Sequence, residues 1–366
     1  MKKVSRRNFL KVSGAMAAAG ALAACGGSGA STPAASGAAS TSTAASVAAA
    51  GEDKFASLGD FTMTVGHAQP EGNPRFVSME QFAADVAEAT NGHVKIEVYG
   101  NGQLGTEKEM LEQVVAGTVQ GMRGGQFDFS PRLLMFTLPF LTNTRAQVTA
   151  LLQSDLAQKV CAEAEGETGT VIINLCDAGG YRQFSNSKHP IKAPADLKGL
   201  KMRTNGMKTI DMTFQAMGAT TTTIPYSDLY MGLKTGVADG QENPWVNVEG
   251  MKFYEVQKYF TEVNYQFHPD PCYVNAAWWN GLPEEYREIM MTALEEVTAE
   301  ERVQCETNEQ DYIDKLEAEG AVFTEFDEAS KAEIVEIFGQ YWTEKVEALG
   351  NPEAVEMLNK IIEMKG

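Results

Sequence analysis

The chain has 366 residues and carries 30 Lys and Arg against 49 Asp and Glu, a formal net charge of −19. Such an acidic surface excludes nucleic acid as a partner and excludes a basic face for anionic lipid, so an anionic ligand must be held by a few specific cations. Five cysteines with no C-x-x-C pair and four scattered histidines, His67, His93, His189 and His268, offer no metal-ligand spacing, so neither a metal site nor a cofactor is expected.

Ser5 to Lys11, SRRNFLK, has the paired arginines, Phe and Leu of a twin-arginine export signal, followed by the small apolar run GAMAAAGALAA. That run is too short and too weakly apolar to span a bilayer. It ends in Leu22-Ala23-Ala24-Cys25, which resembles a lipobox. Residues 1–24 therefore read as a lipoprotein signal peptide, with Cys25 as the lipidated mature N-terminus. Residues 25–58 are mainly Gly, Ser, Ala and Thr and read as a flexible tether. The signal removes Lys2, Lys3, Arg6, Arg7 and Lys11 and no acid, which leaves 25 basic against 49 acidic residues, a charge of −24. Export permits disulfides among Cys161, Cys176, Cys272 and Cys305, but their spacing names no pair, and isolated buried thiols fit equally well.

Residues 59–366 are enough for two lobes. FTMTVGHA reads as a strand, and FVSMEQFAADVAEAT as a helix with Phe76, Met79, Phe82, Val86 and Ala89 on one face, stopped at Asn91-Gly92. VKIEVY is the next strand, and TEKEMLEQVVAG a helix with Thr106 as N-cap and Glu109 as its capping-box partner. A mostly parallel α/β sheet follows from this alternation. TVIINLCD opens another strand, and KMRT, IDMTFQAMGA, TTTI, SDLYMGLKTG and VADGQE make a second βα lobe. From Pro283 to Gly320 there is no internal Pro or Gly, which predicts one helix of about 36 residues, ~54 Å long, spanning both lobes.

Two patterns invite an enzymatic reading. Gly100–Gly105, GNGQLG, matches G-x-G-x-x-G between a strand and a helix, so an exported NAD(P)-dependent oxidoreductase is the alternative to weigh. A dinucleotide site also requires an acid at the end of the next strand, and TVQGMRGGQF supplies none before Asp128. A tight strand-to-helix turn accounts for the glycines. Ser185-x-x-Lys188, Ser227-Asp228 and Lys234-Thr235-Gly236 follow the order of an acyl-serine enzyme, but Pro190 keeps the first in a loop and the last ends a helix. G-x-S-x-G and H-E-x-x-H are absent from the sequence.

YGNGQLG, YRQFSNSKHPIKAPADLKGLKMRT and MGATTTTIPYSDLYMGLKTGVADGQENPWVNVEGMKFYEVQKYF together resemble the substrate-binding protein of a tripartite ATP-independent periplasmic (TRAP) transporter of the DctP family. The resemblance runs from about Phe61 to about Val346. It implies a two-lobed periplasmic-binding-protein-like α/β fold, lobe one mainly 59–180 with part of 269–310, and lobe two mainly 181–268 with the C-terminal helices. It implies a monomeric, non-enzymatic receptor that passes an organic acid to small and large membrane subunits. Arg203 in GLKMR matches the arginine that pairs with the substrate carboxylate, Arg182 a second arginine near it, Asn243 an amide donor, and Tyr226 an aromatic ring against the ligand. His67, Glu107 and Gln126, the last in Gly124-Gly125-Gln126, fall where the first lobe senses the far end of the ligand. Arg203-Thr204 leans toward the sugar-acid branch, and the uncharged Gly124-Gly125-Gln126 argues against sialic acid.

Overall fold

The computed structural model describes residues 53–126 and 130–336, together with Asn359. The signal, Cys25 and most of the tether lie outside the described residues. The body opens with β1 (Phe61–His67), α1 (Pro74–Ala89), β2 (Val94–Tyr99), α2 (Glu107–Ala116) and β3 (Gly121–Arg123). Three helices, α3 (Pro131–Leu134), α4 (Arg145–Leu152) and α5 (Asp155–Thr168), then lead into the 17-residue strand β4 (Thr170–Asn186). β5 (Lys201–Thr204), α6 (Lys208–Ala216), β6 (Thr220–Thr223), α7 (Leu229–Lys234), β7 (Gly240–Asn243) and α8 (Trp245–Gly250) form the second βα series. A second 17-residue strand, β8 (Tyr259–Asn275), is followed by α9 (Ala276–Gly281), α10 (Glu284–Thr307), α11 (Glu309–Ala318) and β9 (Val322–Glu325).

All nine strands among the described residues belong to one sheet of order β2-β1-β3-β8-β4-β7-β5-β6, with β9 added to β8. The expected parallel pairing holds at the two ends, where β1 pairs with β2 and β3, and β5 with β6 and β7. The centre is antiparallel, through β3–β8, β4–β8 and β4–β7, so the sheet is mixed. The β1 end carries the first lobe and the β5 end the second, and only the long strands β4 and β8 run through both. Periodicity missed this length because Pro269 and Pro271 interrupt β8, as proline does at an irregular ladder. The ladder does shift between Asp177 and Tyr181. There Gly179 and Gly180 take φ of 100° and 109°, and Asp177 Oδ1 accepts from both of their amides at 2.7 and 2.8 Å.

Two boundaries differ from expectation. Phe55, placed in the tether by composition, is buried in the first-lobe core with its ring centroid 5.5 Å from that of Tyr286. Burying one Phe stabilises the fold by roughly 2 kcal/mol, so the packed body includes Asp53–Leu58. The single long helix is also a correction: α10 and α11 are separated at Asn308, whose φ and ψ are −91° and 2°. Thr307 and Asn308 are weak helix formers, and neither is a Pro or Gly that would have flagged the break. The break lets each segment follow its own lobe, α10 on α1 and β4, and α11 on α8. Among the described residues no helix is long and apolar enough to cross a membrane.

Candidate functional site

Arg203 is the third of the four residues of β5, opposite Thr222 of β6, and is only 1% exposed. Its Nε donates to the Ile224 carbonyl at 2.8 Å. Among the described residues no carboxylate forms an ion pair with it, and no protein group accepts from its two terminal nitrogens. Burial pulls this guanidinium down to about 10; Glu242 opposes that, Arg182 adds to it and Glu107 opposes it again. It is still a cation at neutral pH, and a desolvated one without a counterion calls for an anion.

The other buried arginines are matched. Arg182 on β4 faces Glu242 on β7 in a two-point pair: Nη2 donates to Oε1 at 2.8 Å, and Nε donates to Oε2. Burial works against the Arg182 charge, but Glu242 outweighs it and raises the pKa. Glu242 also accepts from Tyr265 Oη at 2.6 Å. Asn243 accepts from Arg182 Nη2 and from Asn247 Nδ2, both at 3.1 Å, and donates to Gln241 Oε1 at 2.5 Å. The family resemblance puts Arg182 near the ligand carboxylate and Asn243 as a donor to it. Here both are engaged by protein partners, and Arg182 acts electrostatically on Arg203.

Glu107 begins α2, and its Oε1 lies 2.9 Å from where a Cβ on Gly124 would stand, so Gly124 makes room for it. Burial raises the Glu107 carboxyl and Asp270 raises it further, against Arg75, Arg203 and Arg182. Tyr226, in the loop before α7, donates from its hydroxyl to Gln69 Oε1 at 3.1 Å and sets its ring edge-on to Phe253, 6.2 Å between centroids. Burial raises its phenol, which interacts electrostatically with Arg75, Glu107 and Arg203. Arg203, Arg182, Glu107 and Tyr226 are therefore one group. Gln126 is buried, with its carbonyl accepting from Tyr273 Oη at 2.9 Å, and His67 joins a cluster around Arg75 and Asp270 that borders Glu107. His67 Nδ1 accepts from the Gln69 amide at 3.1 Å, its Nε2 is buried without a partner, and burial with Arg75 beside it lowers its pKa well below the usual imidazole range.

That cluster escaped the sequence reading. Arg75 Nη2 and Arg123 Nε lie 2.5 and 2.8 Å from Asp270, and Arg123 also makes a fork to Glu301 at 2.7 and 2.9 Å. Burial alone would raise Asp270, but Arg75 and Arg123 hold it down at about 2. Arg75 Nη1 reaches Asn247 Oδ1 at 3.5 Å, which links the first lobe through Asn247 and Asn243 to Arg182. The signal available was Asn73-Pro74-Arg75, a capped helix start with a cation in its first turn.

The Gly100–Gly105 loop is shaped by packing. A Cβ on Gly100 would fall 2.7 Å from Phe76 Cδ2 and nearer still to Cε2, while Gly102 and Gly105 have φ of 66° and 117°. The amides of the following helix are capped by the expected box, with Thr106 N donating to Glu109 Oε2 at 2.8 Å and Glu109 N to Thr106 Oγ1 at 3.3 Å. Glu107 and Glu109 in the first turn repel a pyrophosphate where a dinucleotide would need an anion site. Ser185 lies within β4, its Oγ accepting from Gln241 Nε2 at 2.7 Å, rather than at a helix N-terminus. Cys161, Cys176, Cys272 and Cys305 are free and buried. Among the described residues no three His, Cys, Asp or Glu side chains converge as metal ligands.

Residues 3–23 match the twin-arginine translocation signal sequence. The chain is similar to the 2,3-diketo-L-gulonate-binding periplasmic protein YiaO of Escherichia coli (strain K12), 28% identical over 74% of this chain and 84% of that one. It is 30% identical to the C4-dicarboxylate-binding periplasmic protein DctP of Vibrio cholerae serotype O1, over 73% of this chain and 81% of that one. The fold matches a crystal structure of a TRAP periplasmic solute binding protein from Desulfovibrio salexigens with bound orotic acid at a TM-score of 0.80 and 28% identity, covering 84% of this chain and 99% of that one. Residues 65–348, which include every member of the Arg203 group, match the model for bacterial extracellular solute-binding protein, family 7, and the chain belongs to that family.

Proposed function

We propose that this protein is a non-enzymatic, lipid-anchored extracytoplasmic receptor that binds an organic acid, a sugar acid by preference, and delivers it as a monomer to the two membrane subunits of a TRAP transporter. The observation that carries this reading is Arg203, a buried guanidinium with no acid of its own among neighbours that all have one. A carboxylate fits its planar edge with two parallel charge-assisted bonds. Similarity to binders of 2,3-diketo-L-gulonate, C4-dicarboxylates and orotic acid supports an acid ligand. Tyr226–Gln69 and Arg75–Asn247 join the two lobes, so ligand contacts that favour this arrangement stabilise a closed state. The anchor assignment rests on Leu22-Ala23-Ala24-Cys25.

A thermal-shift screen of hexuronates, aldonates, keto acids and C4-dicarboxylates tests the reading, because a tight ligand raises the melting temperature by mass action. A shift from one class, lost in Arg203→Ala, is expected. A purified, folded protein that responds to no carboxylate, or that binds NAD(P) with micromolar affinity, would overturn it.

A further inference from the structure

The place where the N-terminal chain joins the body carries chemistry that ligand binding does not use. His93 stands in the turn between α1 and β2, and its ring bridges two carboxylates: Nε2 lies 2.7 Å from Asp53 Oδ2, and Nδ1 lies 2.6 Å from Asp60 Oδ1. A neutral imidazole has one N–H and one lone pair, and an ionised carboxylate can only accept. Both ring nitrogens must therefore donate, which makes the ring an imidazolium. The two acids sit at the two ends of one segment, residues 53–60. Asn91 Nδ2 donates to Asp53 Oδ1 at 2.9 Å, Tyr286 Oη donates to the Gly59 carbonyl at 3.1 Å, and Lys54 Nζ lies 2.8 Å from Glu285. Under the segment, the buried Phe55 ring stands 6.3 Å from the His93 ring and 5.5 Å from Tyr286.

We propose that protonated His93 is a clamp that holds residues 53–60 on the body and lets go when the ring gives up its second proton, a pH-sensitive junction where the preceding chain meets the first lobe. Among the described residues the acids that face the ring are Asp53 and Asp60, both from the segment, while Tyr286 and Glu285 of α10 and Lys54 surround those two. Losing the proton leaves a lone pair against a carboxylate oxygen at one end of the bridge, so one hydrogen bond becomes a repulsion. Asp53 and then Asp60 raise the ring above its ordinary 6.5, and His93 comes first among the groups that lower Asp53 to about 2. A folded-state value raised above the unfolded one gives stability that is fully present below about pH 6.5 and is lost as the pH climbs through the raised value. Asp53 and Asp60 are exposed, where ion pairs hold weakly. One proton can therefore decide whether the segment stays down, and its opening uncovers the Phe55 ring and the face of Tyr286.

The test uses the full chain. Proteinase K cleavage within residues 53–60, divided at each pH by its rate on an unfolded peptide of the same sequence, reports how often the segment opens. Wild type is expected to open at least about fivefold more often at about pH 9 than at about pH 6. The rise should level off above the point at which NMR shows the His93 ring to titrate, itself above 6.5. His93→Gln should open at the high-pH level of wild type throughout, and Asp53→Asn should bring the ring titration back toward 6.5 and shrink the rise. Opening that does not change with pH in wild type removes the clamp, as does a His93 ring that titrates at or below 6.5. An undiminished rise in His93→Gln, with its melting temperature retained, would assign the change to Tyr286 or Lys54 and reject the proposal. The two wild-type readings stand whether or not a variant folds, and neither depends on the bound acid or on the anchor.

Discussion

Ile224 holds Arg203 by one edge of its fork, the backbone carbonyl accepting from Nε at 2.8 Å. The strand pair β5–β6 thus orients a guanidinium whose Nη1/Nη2 edge has no protein partner among the described residues, which is the edge a carboxylate takes end-on. Arg203→Lys keeps the charge but loses both the Ile224 anchor and the second parallel bond. Binding of the acid found in the screen should weaken by roughly 2 kcal/mol, about thirtyfold. Arg203→Ala should cost on the order of 3 to 5 kcal/mol, because the carboxylate is then buried unpaired. Calorimetry showing the Lys variant within threefold of wild type would make Arg203 a structural residue.

Arg182 behaves differently because its partner is within the protein. Arg182→Ala strands Glu242 in the interior with, among the described residues, only Tyr265 to donate to it. The expected loss is in folding stability, about 3 to 5 kcal/mol, and visible as a lower melting temperature without ligand. Arg182→Ala combined with Glu242→Ala should recover part of it, as a double-mutant cycle on a buried pair does. A ligand-free melting temperature unchanged by Arg182→Ala would show that the pair carries no structural load.

Arg203 was marked in the sequence by the match of GLKMR to the family's carboxylate-pairing arginine, and the fold buries it without an ion-pair partner among the described residues. Asp270 was not, since its partner Arg75 lies 195 positions away, and only the sheet order places β8 beside β3. Period and capping found α1, α2 and the short strands, which are set by local preference. The length of β4 and β8 and the break at Asn308 are set by how two lobes share one sheet, and no local window contains that information. Arg182 was legible as an important cation, but its partner decided its role.

Gly100 tests the loop that imitates a dinucleotide fingerprint. Its φ is not positive, so the reason for glycine there is the Phe76 ring rather than the turn. Gly100→Ala should destabilise by about 1 to 3 kcal/mol through overpacking and leave acid affinity largely unchanged. Gly100→Ala with Phe76→Leu should regain stability in a denaturant titration. A Gly100→Ala variant as stable as wild type would show that the ring can move aside.

Strong acid should dismantle the Asp270 ion pairs. Its carboxyl is held at about 2 against an ordinary value of 3.8, so its ion pairs stabilise the fold fully above about pH 4. That contribution is lost as the pH falls from there through 2, because protonation removes the charge that Arg75 and Arg123 need. The span corresponds to about 2 kcal/mol. Asp270→Asn should flatten stability across that window while lowering it at pH 7 by about 3 to 5 kcal/mol, with two arginines left short of a counterion. Urea midpoints measured from pH 2 to 7 give both quantities, and an equally steep acid limb in the variant would assign it to other carboxylates.

The Tyr226 hydroxyl donates to the Gln69 side-chain oxygen at 3.1 Å, a bond that the proposed closure of two lobes makes a latch. The Gln69 backbone N–H donates to His67 Nδ1 at 3.1 Å, which ties the main chain that carries the acceptor to the end of β1. Tyr226→Phe keeps the edge-on packing against Phe253 and removes only the hydroxyl. The bond is formed in the closed state, so its loss should appear in the dissociation rate of the bound acid, raised about fivefold for a bond worth about 1 kcal/mol. Association, which begins before closure, should change by less than about twofold. Gln69→Ala should give a similar rise, and the double variant should add little to either, since both remove the same bond. Stopped-flow traces in which Tyr226→Phe dissociates at the wild-type rate would sink the latch, and additive effects would mean that the two side chains contact the ligand separately.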